Sequence, residues 1–136
     1  MTRVLFVEDE PWGVNAYFPA LRRSHIICDL AESYQQAVEC LNKQKYDFIC
    51  LDIMFSSGKI NRKPFEQREA GLKLLQDIRD GQIRNCAKDI KTIVLTAVPS
   101  HQIEEKIKNL NVLRYFKKPV SYDEVVGTFR HLAASY

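Results

Sequence analysis

The feature that most constrains the fold of this chain is a series of five short apolar runs. They span residues 4–7, 26–28, 48–51, 92–96 and 112–116 and are rich in Val, Ile, Leu and Phe. Strands that are apolar along their whole length lie in sheets that are covered on both faces. We therefore predict five buried β-strands.

The segments between these runs have the periodicity of amphipathic helices. Three apolar faces recur at helical spacing: Leu72, Leu75 and Ile78; Ile103, Ile107 and Leu110; and Val125, Phe129 and Leu132. Ser33 and Ser121 each precede a Gln or Glu by three residues, which is a helix-start pattern. The regular alternation of strands and helices predicts an α/β fold with a parallel sheet and right-handed crossovers.

The first predicted helix contains two prolines. Pro11 suits the first position of a helix, whereas Pro19 would kink or break a helix that runs on to Arg23. We still predict one helix between the first and second strands.

The length and composition are those of one globular domain that covers residues 1–136. Of these residues 46% are hydrophobic and 27% are charged, which excludes a disordered or low-complexity chain. No run is long enough to cross a membrane, and Glu8, Asp9 and Glu10 end the first apolar segment too early for a signal peptide. We expect a cytoplasmic protein whose four cysteines are reduced.

The net charge is only +3, but its distribution along the sequence is uneven. Residues 1–52 carry five basic and eight acidic side chains, whereas residues 53–118 carry 14 basic and seven acidic. Four of the basic residues lie in residues 53–70, a connection of 18 residues where comparable loops have about two to six. We predict a basic insertion there, either a mobile surface loop without a role or a functional lid or partner-binding loop. Nucleic-acid binding is not expected, because no helix has clustered cations.

Polar side chains stand where the predicted strands end. They are Glu8, Asp9 and Glu10 after the first strand, Asp52 after the third, Thr96 at the end of the fourth, and Lys117 and Lys118 after the fifth. Ligands of open parallel sheets bind at this edge, so these side chains should converge. Carboxylates from two strand ends repel one another unless a hard cation with oxygen ligands, such as Mg²⁺, lies between them. A hydroxyl and a lysine can bind phosphoryl oxygens, and a carboxylate can accept the phosphoryl group.

These motifs resemble the receiver domain of bacterial two-component response regulators, and in particular the stand-alone chemotaxis-type regulators. The resemblance rests on Val-Glu-Asp-Glu at 7–10, Leu-Asp-Ile at 51–53, Leu-Thr-Ala at 95–97 and Tyr-Phe-Lys-Lys-Pro at 115–119. It implies a flavodoxin-like, doubly wound sheet of five parallel strands in the order 2-1-3-4-5. Asp52 and Gly71 lie farther apart than in the family, which implies an insertion between them.

The resemblance also implies the residues that hold the metal ion and accept the phosphoryl group. Asp52 is implied to be the phosphoacceptor and a ligand of Mg²⁺. Asp9 would bind Mg²⁺ directly, Glu8 would bind it through water, and the backbone carbonyl of Met54 would be a further ligand.

Three other residues receive implied roles. Thr96 and Lys118 would contact the phosphoryl oxygens, and the peptide between Lys118 and Pro119 would be cis. Tyr115 would act with Thr96 as a switch and turn from an outward to an inward rotamer on phosphorylation.

The implied function is phosphorelay signalling. A sensor histidine kinase or a histidine phosphotransfer protein would phosphorylate Asp52 with Mg²⁺. The face formed by the fourth helix, the fifth strand and the fifth helix would then change its contacts with an unidentified downstream protein. The domain would be no enzyme beyond catalysing its own phosphorylation and dephosphorylation. It would bind neither nucleic acid nor a membrane, and it could form a phosphorylation-dependent homodimer.

Two alternatives remain open from the sequence. The chain could be the receiver of a larger regulator or of a hybrid histidine kinase. More remotely, it could be an aspartate-nucleophile phosphatase, but such an enzyme would have a second aspartate where this chain has Met54.

Overall fold

The computed structural model describes residues 1–10, 12–53, 70–97 and 101–135. Within them, strands and helices alternate along the chain. The elements are β1 (Thr2–Val7), α1 (Trp12–Asn15), α2 (Phe18–Arg23), β2 (Ile26–Ala31), α3 (Tyr34–Lys43), β3 (Phe48–Leu51), α4 (Ala70–Arg79), β4 (Lys91–Thr96), α5 (His101–Lys108), β5 (Arg114–Lys117) and α6 (Tyr122–Ser135). None of these helices combines the length and the apolar character needed to span a bilayer.

All five strands are parallel and lie in the order β2-β1-β3-β4-β5, which confirms the predicted fold class and strand order. Val7, the last residue of β1, pairs with Ala31 of β2 and with Leu51 of β3. Thr96, the last residue of β4, pairs with Lys117 of β5. β1 therefore ends level with β2 and β3, and β4 with β5, whereas β4 runs two residues past the end of β3, because Leu51 pairs with Val94. The residues that follow the strands share one edge of the sheet.

Each face of the sheet carries its own apolar layer. Alternate residues of β1 point to opposite faces: Leu5 and Val7 contribute to the layer with α3, α4 and α5, whereas Val4 and Phe6 contribute to the layer with α1, α2 and α6. The apolar helix faces lie as predicted, since most of their members are fully buried and Ile103 and Leu110 pack partly buried at the margin.

The C-terminal helix α6 closes the second layer against the beginning of the chain. The ring of Phe6 lies 5.1 Å from that of Phe18 in α2 and 5.4 Å from that of Phe129 in α6. Arg130 of α6 donates a hydrogen bond to Ser24 Oγ at 2.8 Å. These contacts tie α6 to β1 and α2.

The prediction of one helix between the first two strands is wrong. The chain forms two short helices instead, and Pro19 lies in the first turn of the second. Proline has no N–H to donate to the preceding turn, so a helix that continued through Pro19 would lose a hydrogen bond and meet a steric clash. Pro11 lies outside the described residues.

Three strand boundaries also differ from the prediction by two residues or more. β1 begins at Thr2, two residues before the predicted start. β2 continues past Cys28 to Ala31, because β1 pairs with it along all six residues. Asp29 fits this edge strand since its carboxylate accepts a hydrogen bond from Tyr46 at 2.7 Å and pairs with Arg3 at 3.3 Å. β5 begins only at Arg114, after Asn111 has turned the backbone at φ 58°. Of the predicted insertion, residues 54–69 lie outside the described residues.

The four cysteines are free thiols, as predicted, with Cys28 and Cys50 buried in strands of the sheet. The two predicted helix starts are also present. The side chain of Ser33 accepts a hydrogen bond from the Gln36 N–H, and that of Ser121 accepts one from the Glu124 N–H, each at 3.1 Å.

Candidate functional site

Three carboxylates meet where β1 and β3 end. Glu8 and Asp9 directly follow β1, and Asp52 directly follows β3. The Asp52 N–H donates to the Val7 carbonyl at 3.0 Å, and the Glu8 N–H donates to the Ala31 carbonyl at 3.0 Å. Sheet hydrogen bonding therefore continues one residue past the strands and fixes the backbone of both acids.

One carboxylate oxygen from each of Glu8, Asp9 and Asp52 lies within 4.8 Å of the others. Glu8 is only 3% exposed and Asp52 only 8%. Carboxylate oxygens on a rigid sheet edge match the preference of Mg²⁺ for hard oxygen ligands, so this donor set fits the ion that the sequence predicts. The structure thus brings together all three carboxylates predicted to hold the metal. Met54, the predicted carbonyl ligand, lies outside the described residues.

Lys118 forms ion pairs with two of these three carboxylates. Its Nζ lies 3.1 Å from Glu8 Oε2 and 3.4 Å from Asp52 Oδ2. The Lys118 N–H donates to the Thr96 carbonyl at 2.8 Å, which holds the residue at the end of β4, and the peptide to Pro119 is cis, as the resemblance implies. The ammonium therefore lies beside the predicted phosphoacceptor.

Thr96 lies at the same edge of the sheet but has a local hydrogen bond. The residue is fully buried, and its hydroxyl donates to the Ala97 carbonyl at 3.3 Å. A hydroxyl can donate to a phosphoryl oxygen in place of such a carbonyl.

The buried acids strongly influence each other's protonation. Burial, then the charge of Asp52 and a hydrogen bond with it, raise the pKa of Glu8 from 4.5 to about 8, against the lowering effect of Lys118. Burial by itself would lower the pKa of Lys118, but the charges of Asp52 and Glu8 and the hydrogen bonds to them raise it overall. Without a cation, neutral pH therefore favours a protonated Glu8 and a charged Lys118 beside Asp52.

Tyr115, the predicted switch residue, lies on the face of β5 that packs against the layer of α3, α4 and α5. Its hydroxyl is buried and has no hydrogen-bond partner in the described part of the chain. Burial, and then the charge of Glu104, raises the pKa of this phenol. Tyr115 is therefore not joined to the carboxylate cluster by a hydrogen bond within the residues that the structure describes.

Two features of the site were not found from the sequence. A cleft of about 470 Å³ opens beside Lys118 and is lined also by Tyr17, Pro119 and Val120. Gly71 of α4 lies against the backbone of Asp52, so closely that a Cβ there would be 2.2 Å from the Asp52 carbonyl oxygen. The only sequence signal for this contact was a glycine at the start of a helix, and glycine also occurs at helix starts where nothing packs closely against it.

A model of the family described as "Response regulator receiver domain" matches residues 4–130. No curated protein matches the chain significantly in sequence.

Solved structures with the same fold include several receiver domains. A CheY-like response regulator receiver domain protein from Methanospirillum hungatei JF-1 is 16% identical with a TM-score of 0.74, over 99% of this chain and 95% of that one. The receiver domain of the Francisella response regulator 1452 is 20% identical with a TM-score of 0.75, over 99% and 98%. The receiver domain of sensor histidine kinase PA1611 from Pseudomonas aeruginosa PAO1 is 22% identical with a TM-score of 0.69, over 96% and 95%. That structure has a magnesium ion coordinated in its active site cleft.

Proposed function

Because the chain belongs to the response regulator receiver domain family of two-component signalling, we propose that Asp52 accepts a phosphoryl group in a Mg²⁺-dependent reaction. The observation that carries this proposal is the arrangement around Asp52. Its carboxylate is nearly buried, lies within reach of two further carboxylates, and has Lys118 Nζ at 3.4 Å. A buried acid with both a cation site and an ammonium beside it suits an anionic phosphoryl donor.

Each residue has a distinct part in this reaction. A carboxylate oxygen of Asp52 attacks phosphorus, the bond from phosphorus to the donor breaks, and an acyl phosphate forms on Asp52. Lys118 offsets the negative charge on the phosphoryl oxygens, and the Thr96 hydroxyl donates to one of them. Glu8 and Asp9 would hold Mg²⁺ with Asp52, and the bound ion would neutralise charge on the carboxylates and the transferring group.

The donor that we propose is a sensor histidine kinase or a histidine phosphotransfer protein in the cytoplasm. We expect the donor side chain to approach through the cleft beside Lys118, which is lined by residues of α1 and of the segment after β5. A magnesium ion in the receiver of sensor histidine kinase PA1611 supports Mg²⁺ as the cofactor. That neighbour is itself part of a sensor kinase, so a receiver within a hybrid kinase is the alternative context for this chain.

The signalling output that we propose is the face of α5, β5 and α6, which are the predicted fourth helix, fifth strand and fifth helix. Glu104 of α5 pairs with Lys108 on the same helix and with Lys117 of β5, each at 3.5 Å. This ion pair spans the two elements on the side where Tyr115 is buried. Phosphorylation would shift Thr96 and Tyr115 and so change this face for a downstream protein or a second copy of the chain.

The proposal is tested by incubating the protein with acetyl phosphate and Mg²⁺ and measuring the intact mass. We expect the wild type to gain one phosphoryl group, and Asp52→Asn to gain none. Asp80→Asn, which changes an exposed aspartate, serves as the matched control and should behave as the wild type. EDTA should prevent the labelling. Equal labelling of Asp52→Asn, or no labelling of the wild type, would overturn the assignment.

A further inference from the structure

Gly71 contacts the backbone of the phosphoacceptor from α4. A Cβ at this position would lie 2.2 Å from the Asp52 carbonyl oxygen, 2.6 Å from Ile53 Cα and 2.8 Å from the Ile53 carbonyl oxygen. The Gly71 N–H also donates a hydrogen bond to the Ile53 carbonyl at 3.2 Å. The first turn of α4 is therefore seated directly on the residue pair Asp52–Ile53.

Any side chain at Gly71 would push against backbone atoms, which cannot rotate away. Ordinary contacts of a Cβ begin near 3.4 Å, so the Asp52 carbonyl and α4 would have to separate by more than 1 Å. The other described glycines differ: nothing lies within 4 Å of a Cβ at Gly13 or Gly127, and one at Gly81 would meet only the flexible side chain of Lys88.

α4 is poorly placed to give way. Its residues Leu72, Leu74, Leu75 and Ile78 are buried in the layer against the sheet. Its last residue, Arg79, donates hydrogen bonds to the carbonyls of Lys88 and Ile90 in the segment that leads into β4. Close-packed interiors resist shifts of whole helices, so a side chain at Gly71 would displace mainly Asp52 and Ile53.

We propose that Gly71 is a positioning residue that sets the backbone of Asp52 and thereby the geometry of its carboxylate. The Asp52 N–H donates a hydrogen bond to the Val7 carbonyl at 3.0 Å, and the Asp52 carbonyl lies against Gly71. The backbone of Asp52 is therefore held by β1 at its N–H and by α4 at its carbonyl. The contact joins residues 19 positions apart in the sequence. The packing of α4 on Asp52 and Ile53 therefore contributes to the geometry of the site. This inference rests on the proposed role of Asp52.

The test compares Gly71→Ala with the matched control Gly127→Ala, and with both changes together. Both glycines lie in helices, but only Gly71 meets the backbone of Asp52. The affinity for Mg²⁺ and the position of the bound ion are measured from the backbone amide NMR signals of Glu8, Asp9, Asp52 and Ile53. The rate of phosphorylation by acetyl phosphate is measured separately and expressed per folded molecule. We expect Gly71→Ala to shift the amide signals of Asp52 and Ile53 without metal, and to lower Mg²⁺ affinity and rate by about 10- to 100-fold.

Gly127→Ala should leave these readouts unchanged and raise the urea midpoint, which also supplies a stabilised background for Gly71→Ala. Leu74→Ala, one turn into α4, should lower stability but keep the Mg²⁺ affinity of the folded protein. The proposal is wrong if Gly71→Ala keeps wild-type amide signals and affinity, or if Leu74→Ala lowers the affinity equally. It is also wrong if Gly71→Ala remains unfolded in the Gly127→Ala background, since Gly71 would then serve the core. Lack of wild-type phosphorylation would refute the proposed function, whereas the amide signals and Mg²⁺ affinity would still test the positioning role.

Discussion

Replacing Arg79 removes a single side chain that connects three parts of the chain. The guanidinium of this last residue of α4 donates five hydrogen bonds in the described structure. Its acceptors are the carbonyls of Lys88 at 2.7 Å, Ile90 at 3.0 Å, Leu110 at 2.7 Å and Asn111 at 3.3 Å, and Thr92 Oγ1 at 3.1 Å. Burial, which removes part of the water around the guanidinium, lowers the pKa of Arg79. The side chain thus links α4 to the entries of both β4 and β5.

The size of the effect follows from this set of contacts. Hydrogen bonds from a charged donor contribute about 1.5–3 kcal/mol each when removed singly. The five bonds here share one partly exposed group, so we expect Arg79→Met to lower the free energy of unfolding by about 3–5 kcal/mol, well below their sum. Arg79→Lys should lower the free energy of unfolding by about 2–3 kcal/mol. A single ammonium group cannot reach all the acceptors that the planar guanidinium reaches.

Urea unfolding followed by circular dichroism measures both losses, and a loss of 3–5 kcal/mol corresponds to a midpoint shift of about 2 M. Arg130→Met is the matched control. Arg130 is exposed and donates only to Ser24 Oγ at 2.8 Å and to the Ala20 carbonyl at 3.5 Å, so its loss should stay below about 1 kcal/mol. The reasoning is refuted if Arg79→Met is no less stable than Arg130→Met, or if Arg79→Lys is as stable as the wild type.

Two further predictions concern buried polar groups. Because the folded protein raises the pKa of Glu8 from 4.5 to about 8, the folded state holds a proton that the unfolded state releases. The free energy of unfolding should therefore decline as the pH rises from about 4.5 to about 8. Glu8→Gln should remove this pH dependence when both proteins are unfolded by urea in EDTA. Parallel curves of unfolding free energy against pH for the two proteins would contradict the prediction. Tyr115→Phe removes a buried hydroxyl without a described partner and should stabilise the protein by up to about 1 kcal/mol. Tyr46→Phe removes a hydroxyl bonded to Asp29 at 2.7 Å and should destabilise it by about 1–2 kcal/mol; equal urea midpoints for the two variants would show that the partner does not matter.

The sequence predicted the fold where local patterns determine structure. Uninterrupted apolar runs identified β3 and β4 to within one residue, and the polar residues at their carboxyl ends placed Asp52 and Thr96 at the same edge of the sheet. This succeeded because the carboxyl ends of parallel strands lie at the same edge of their sheet. The implied roles of these residues stay predictions that the phosphorylation experiments address.

Features that depend on contacts between residues far apart in the sequence could not be predicted from it. From the sequence, the charge of Asp29 indicates the end of a strand. In the structure the strand continues because Tyr46 donates a hydrogen bond to Asp29 and Arg3 forms an ion pair with it. From the sequence, Gly71 indicates only the approximate start of a helix. The structure adds that the Asp52 carbonyl lies directly against it. In both cases the deciding contact joins residues at least 17 positions apart, and no local periodicity reports such a contact.

The packing of α6 on β1 and α2 has a consequence for how the chain folds as it is synthesised. Phe6 is synthesised more than 100 residues before Phe129, yet the two rings pack together, and Arg130 donates a hydrogen bond back to Ser24. The part of this apolar face that α6 covers therefore stays exposed until α6 has emerged from the ribosome, even after α1, α2 and all five strands are available. Exposed apolar surface of this kind favours aggregation, so the growing chain should depend most on chaperones just before α6 is complete.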